Sequence, residues 1–119
     1  MGKILILGAG MVGKAMATDL AERHQVTATD IDRKALQPLS GRRNIQTSVL
    51  DVTDHAAMEN AVSGFDMVVS AVPGFLGLQT MEQVIGQRKN LVDISFLPED
   101  VQPLVALAKE KGVTVVMDC

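Results

Sequence analysis

Short apolar, β-branched runs recur along the chain at Lys3 to Leu7, Gln25 to Asp30, Asn44 to Val49, Asp66 to Ala71, Asn90 to Ser95 and Val113 to Met117. Their length and residue types predict strands. Between the first two, Val12, Met16 and Leu20 recur at helical spacing while Lys14, Asp19, Glu22 and Arg23 take other positions, which predicts an amphipathic helix over Met11 to Arg23. A shorter helix is predicted over Arg33 to Leu39 with Asp32 as its N-cap, and another over Asp54 to Val62 behind Thr53. Leu76 to Gln87 predicts a fourth. The last runs from Pro98 to Lys111: proline stands first, Glu99 and Asp100 in the opening turn, Lys109 and Lys111 in the closing one, and Gly112 as the C-terminal cap.

Strand alternating with helix, with strands apolar on both faces, predicts an α/β fold built on a parallel sheet. The expected architecture is a Rossmann-type doubly wound sheet of about six strands in the order 3-2-1-4-5-6, with helices on both faces. No internal repeat, low-complexity segment or linker interrupts residues 1–119, so a single domain is expected.

Composition narrows the function classes. Hydrophobic residues make up 47% of the 119 positions, enough for a chain of this size to bury roughly two-thirds of its unfolded surface. Aromatic residues are 3%, with no Trp or Tyr, so the core is aliphatic with help from seven Met. Rings on which sugars or single-stranded nucleic acid would stack are scarce. The net charge is −3 and the Lys and Arg residues are dispersed, so no nucleic-acid partner is expected. Cys119 is the single cysteine, and no Cys/His spacing suggests a metal site. That usage fits a reducing compartment, and a cytoplasmic location is expected. The opening apolar run breaks at Gly8 and no later stretch reaches spanning length, so no membrane association is expected.

The first strand runs into Gly8-Ala9-Gly10-Met11-Val12-Gly13, a G-x-G-x-x-G pattern that opens the first helix. The second strand ends in an acid, Asp30, twenty-two residues after Gly8. This context is what a dinucleotide-binding loop requires. Gly8 allows the tight turn, Gly10 lets backbone approach a pyrophosphate, and Gly13 with Ala17 lets the helix pack closely on the sheet. Free N–H groups at the start of the Met11 helix stabilise the negative charge. Asp30 is placed to accept hydrogen bonds from the adenosine ribose hydroxyls, and its charge favours NAD while leaving NADP possible. Arg33 is the opposing feature, because a guanidinium nearby can pair with a 2′-phosphate.

Further candidates lie at the ends of later strands. Asp51 and Val52 are placed to meet the adenine amino edge and ring, although a polar turn before a helix also explains them. Ser70-Ala71-Val72-Pro73-Gly74 follows the fourth strand, where small residues let a cofactor cross the sheet edge; turn chemistry accounts for Pro73 and Gly74 as well. Asp93 and Ser95 alternate on the fifth strand and are candidates to line a nicotinamide pocket. His24 and His55 converge with no nucleophile and are expected on the solvated surface. No catalytic residue is identified.

The run ILGAGMVGKAMATDL around the glycine loop, VSAVPGFLG from Val69 to Gly77, LVDISFLPED from Leu91 to Asp100 and the ending GVTVVMDC together resemble the NAD(P)-binding domain of the saccharopine dehydrogenase and lysine 6-dehydrogenase family. The resemblance covers nearly the whole chain. It implies hydride transfer at an amino-acid C–N bond, and a C-terminal α+β domain, absent here, that binds the amino-acid substrate and forms a homodimer. Residues 1–119 are then the N-terminal part of a larger dehydrogenase and inactive alone. The resemblance also matches Cys119 to a cysteine near the family's active site, whereas a small buried strand-end residue is the plainer account. A regulatory NAD(H) sensor, similar to the cytoplasmic modules of potassium transporters, shares the glycine loop and the acid after the second strand and stands as the alternative.

Overall fold

The computed structural model describes residues 2–72, 74–94 and 102–117. Among them, six strands form one sheet: β1 (Lys3–Leu7), β2 (Gln25–Asp30), β3 (Ile45–Val49), β4 (Met67–Ser70), β5 (Asn90–Asp93) and β6 (Val115–Met117). Every neighbouring pair is parallel and the order is β3-β2-β1-β4-β5-β6, as the alternation predicts. The helices are α1 (Met11–Leu20), α2 (Arg33–Leu36) continued by a 3-10 turn (Gln37–Leu39), α3 (His55–Ser63), α4 (Gly74–Gly86) and α5 (Gln102–Lys111).

From β1 to β3 the chain steps outward in one direction, and from β4 to β6 in the other. Right-handed crossovers then place the two sets of helices on opposite faces. Ile4, Ile6, Val26, Ala28 and Ile45 pack with Ala17, Ala21, Leu36 and Leu39 beneath α1 and α2. Leu5, Leu7, Val68 and Leu91 pack on the other face with Met58, Val62, Met81, Ile85 and Leu104 of α3, α4 and α5. On the α1/α2 face the cover thins towards the β6 edge: Met67 and Val92 are half-buried and Val116 is 55% exposed.

The register aligns the carboxyl ends of the central strands. Thr29, Leu7, Ser70 and Asp93 stand side by side across β2, β1, β4 and β5. The loops that follow them therefore emerge together along one edge.

Several elements differ from expectation. Helix α1 stops at Leu20, and its buried stripe is Gly13 and Ala17, continued by Ala21, while Val12 is exposed and Met16 and Leu20 are half-buried. Small residues let the helix come close to the sheet, so the bulky apolar positions flank the contact. Helix α3 is capped by Asp54, whose side chain accepts from Ala57 N–H at 3.1 Å, and not by Thr53. Strand β3 begins one residue late, because Asn44 turns at φ +65°, a conformation asparagine tolerates, and donates through Nδ2 to the Ala21 carbonyl at 2.9 Å. Strand β4 stops at Ser70, although Ala71 N–H still donates to the Leu7 carbonyl at 2.7 Å. His24 is half-buried and accepts from Gly2 N–H at 3.2 Å, so it fastens the amino terminus, whereas His55 is exposed. Gly112 takes φ +71° after α5, the left-handed cap its position predicts. The expected start at Pro98, with Glu99 and Asp100, lies outside the described residues, as do Ser95 and Cys119.

Candidate functional site

The glycine loop joins β1 to α1 at the carboxyl edge, and its glycines have different reasons to be there. Gly8 takes φ +98°, and a Cβ on it would stand 2.7 Å from the Ala71 carbonyl oxygen. A Cβ on Gly13 would run into the Gly8 carbonyl. Both are demanded by the fold itself. Gly10 is another matter: its φ is −71°, and a Cβ there would meet nothing within 4 Å. The space in front of Gly10 is open, and no internal packing requires it to be glycine.

Helix α1 begins at this opening without a side-chain cap. Asp32 caps α2 by accepting from Lys34 N–H at 2.9 Å, and Asp54 does the same for α3. Among the described residues no side chain caps the first-turn N–H groups of α1, and the helix dipole adds partial positive charge there.

Asp30 stands at the end of β2, and its carboxylate is held by backbone. Oδ2 accepts from Ala9 N–H at 2.8 Å and Oδ1 from Asp32 N–H at 2.8 Å. Beside it, the Thr29 hydroxyl donates to the Ile6 carbonyl at 2.8 Å and the Thr29 carbonyl accepts from Gly8 N–H at 2.9 Å. The glycine loop is thus stitched to β2 on both sides of its turn.

A cavity of about 100 Å³ opens next to these groups, with Gly8, Asp30, Ile31, Asp51, Val52 and Val72 in its walls. Asp51 Oδ1 accepts from the Thr53 hydroxyl at 2.6 Å and from Thr53 N–H at 2.9 Å. The Thr53 hydroxyl, followed by its N–H, holds the Asp51 carboxyl below its ordinary range. Large apolar side chains are exposed along the same edge: Met11 at 86%, Ile31 at 66% and Val12 at 56%. The cavity itself is walled mostly by apolar side chains with a few polar groups, Asp30 and Asp51 among them, which is the usual build of a small-molecule site.

Among the described residues, Ser70 and Asp93 are both wholly buried at adjacent register positions, on the side of the sheet covered by α3, α4 and α5. The Ser70 hydroxyl has no hydrogen-bond partner among the described residues. Ala71 is half-buried and Val72 buried, and Pro73 lies outside the described residues.

The family model described as the saccharopine dehydrogenase NADP binding domain matches residues 4–116. The chain belongs to this family. A saccharopine dehydrogenase (NADP(+), L-glutamate-forming) of Schizosaccharomyces pombe is 31% identical over 116 residues, covering 95% of this chain and 25% of that protein. The enzyme of the same description from Pyricularia oryzae is 29% identical over 114 residues, covering 94% of this chain and 25% of that protein. Among solved structures, the apo saccharopine dehydrogenase (L-Glu forming) of Saccharomyces cerevisiae superposes with a TM-score of 0.82 at 23% identity, over 98% of this chain and 27% of that one. The chain therefore spans about a quarter of the length of these relatives. Its fold is the nicotinamide-dinucleotide-binding fold of the saccharopine dehydrogenase family.

In this member of the saccharopine dehydrogenase family, the structure gathers Gly8, Gly10, Met11, Val12, Gly13, Asp30, Asp51 and Val52 at the carboxyl edge of β1, β2 and β3. Arg33 is exposed and lines a separate cavity of about 330 Å³ with Gln37, Ser40, Thr47 and Ser48, away from the one that holds Asp30. Sequence reasoning missed Thr29, Ile31, Leu50 and Leu76, which complete the wall of the Asp30 cavity. The available signal was Ile31 itself, a bulky apolar residue set between two acids in a turn. Among the described residues, no group of three or more His, Cys, Asp or Glu could hold a metal ion, and no helix is long and apolar enough to cross a membrane.

Proposed function

We propose that this chain is the cofactor domain of an amino-acid dehydrogenase in which hydride passes between a substrate C–N bond and a nicotinamide dinucleotide. The observation that carries this reading is the open, uncapped start of α1 in front of Gly10, placed beside Asp30 and the Asp51 cavity. The N–H groups of Met11, Val12 and Gly13 receive the pyrophosphate. Asp30 accepts from the adenosine ribose hydroxyls, Asp51 from the adenine amino group through the lone pairs that Thr53 leaves, and Ile31 and Val52 cover the ring. Ser70 at the end of β4, Ala71, Val72 and Pro73 after it in the sequence, and Asp93 of β5 would hold the nicotinamide half of the cofactor. When bound, the nicotinamide supplies the hydride acceptor.

The relatives are named for NADP(+), yet Asp30 favours NAD. A carboxylate 4 Å from a phosphate charge near a protein surface faces a repulsion of about 4 kcal/mol before screening by salt. Asp30→Ser is expected to shift the ratio of affinities toward NADP. An unchanged ratio rejects the assignment.

The rest of the activity needs residues beyond these. Substrate binding and homodimer formation are assigned to a further domain of a longer protein, consistent with the quarter of the relatives' length that this chain matches. A reducing compartment such as the cytoplasm suits a single cysteine.

Calorimetry and thermal denaturation of the chain with NAD, NADH, NADP and NADPH test the reading. Ligand at a hundred times its dissociation constant stabilises the fold by about 2.7 kcal/mol. Binding without turnover of lysine or saccharopine is the expected result. No heat and no shift with any of the ligands at millimolar concentration would end it.

A further inference from the structure

Asp30 is placed to do more than meet a ribose. Its two carboxylate oxygens accept from N–H groups on different loops: Ala9, 21 residues away in the chain, and Asp32. Its backbone carbonyl accepts from Leu50 N–H at 3.0 Å, the residue before Asp51. Ala9 is itself 1% exposed and sits between Gly8 and Gly10, so its N–H has no water in place of that carboxylate. The segments that carry the phosphate, ribose and adenine contacts all converge on this one residue.

We propose that Asp30 is a positioning residue that sets the phosphate-binding loop before any cofactor arrives. The idea rests on the dinucleotide reading above and deepens it. With Ala9 pinned from one side and Gly8 N–H held by the Thr29 carbonyl, the peptide leading into Gly10 and Met11 is kept in the orientation that aims the α1 N–H groups outward. Loss of the carboxylate frees the buried Ala9 N–H, and the loop re-forms around another acceptor.

Coulomb's law and the clamp predict opposite signs, which makes the test sharp. Removing a negative charge beside an anion site strengthens every phosphate ligand. Losing the clamp weakens every one of them, including a ligand that has no ribose. Asp30→Asn keeps the shape but retains a single acceptor oxygen, so one of the N–H groups loses its partner.

The experiment measures inorganic pyrophosphate, NAD and NADP binding to the chain and to Asp30→Asn, together with amide exchange by NMR in the unliganded proteins. Asp30→Ser serves as the second variant should the first not fold. The expected result is roughly tenfold weaker pyrophosphate binding, with exchange at Ala9 or Asp32 faster by a similar factor and Gly8 unchanged. A general loss of stability would instead quicken all core amides. Pyrophosphate affinity that holds or improves, or exchange at both Ala9 and Asp32 that stays at the parent rate, overturns the proposal while leaving the dinucleotide reading intact. A parent chain that binds neither cofactor nor pyrophosphate defeats the dinucleotide reading, and amide exchange alone then decides the clamp.

Discussion

Each glycine of the loop answers to a different neighbour, and substitution separates them. Gly8→Ala meets the Ala71 carbonyl and an unfavourable φ, and Gly13→Ala meets the Gly8 carbonyl, so each is expected to lower the unfolding free energy by about 1–3 kcal/mol in urea titrations. Gly10→Ala is expected to stay within about 1 kcal/mol of the parent, because only a weak N-cap preference is lost. Its effect falls on the cofactor, with affinity down by an order of magnitude or more in calorimetry. A Gly10→Ala protein that binds NAD(H) as the parent does removes the pyrophosphate from that space. At Asp51 the depressed carboxyl follows from Thr53, so Thr53→Val should return it upward toward the ordinary range in a carbon-13 NMR titration. The sign matters for pH: a lowered folded-state value means the Asp51 contribution is complete at neutral pH. It fades only as pH falls through the ordinary aspartate range and below. The three glycines share one motif in the sequence, but only their surroundings reveal which two the fold demands and which one faces open space.

The elements themselves were largely readable from local pattern. Helix α5 closes with lysines and Gly112 as predicted, and Asp32 caps α2, because these signals act within one turn of chain. Where two capping residues stand side by side, the pattern points to Thr53, and the structure corrects it. Thr53 and Asp54 both favour a helix start, and the structure gives Thr53 to Asp51 and the cap to Asp54. Asp54→Ala is therefore expected to cost about 1 kcal/mol in thermal denaturation, and Thr53→Ala clearly less. Equal costs for the two would place the cap wrongly. The α1 stripe was misjudged for a related reason. Periodicity marks a face rich in Val12, Met16 and Leu20, whereas closeness to the sheet selects the neighbouring line of Gly13, Ala17 and Ala21. Local spacing reports which residues are apolar, and only contact distance reports which size fits.

At the scale of the whole molecule, the described residues bury a large apolar cluster beneath α3–α5, while Val116 on the β6 edge stays exposed. Met81→Ala, wholly buried among Val68, Leu91 and Leu104, is expected to cost about 2–5 kcal/mol, against less than about 0.5 kcal/mol for Val116→Thr on the open strand. Denaturant midpoints for the two variants check the contrast, and similar losses would mean that the β6 edge is covered in solution. The strand order, the parallel sheet and the glycine loop between β1 and α1 were set by the sequence alone, since alternating short apolar runs and amphipathic helices with right-handed connections leave few other arrangements. So was the pairing of that loop with an acid after β2. Which side chains share a cavity was decided only by the tertiary structure. Ile31 and Leu76 join Asp30 and Asp51, Arg33 turns to another cleft, and Ser70 and Asp93 sink beneath the sheet edge. Those placements depend on register between strands far apart in the chain and on packing between faces, neither of which is encoded within any single segment.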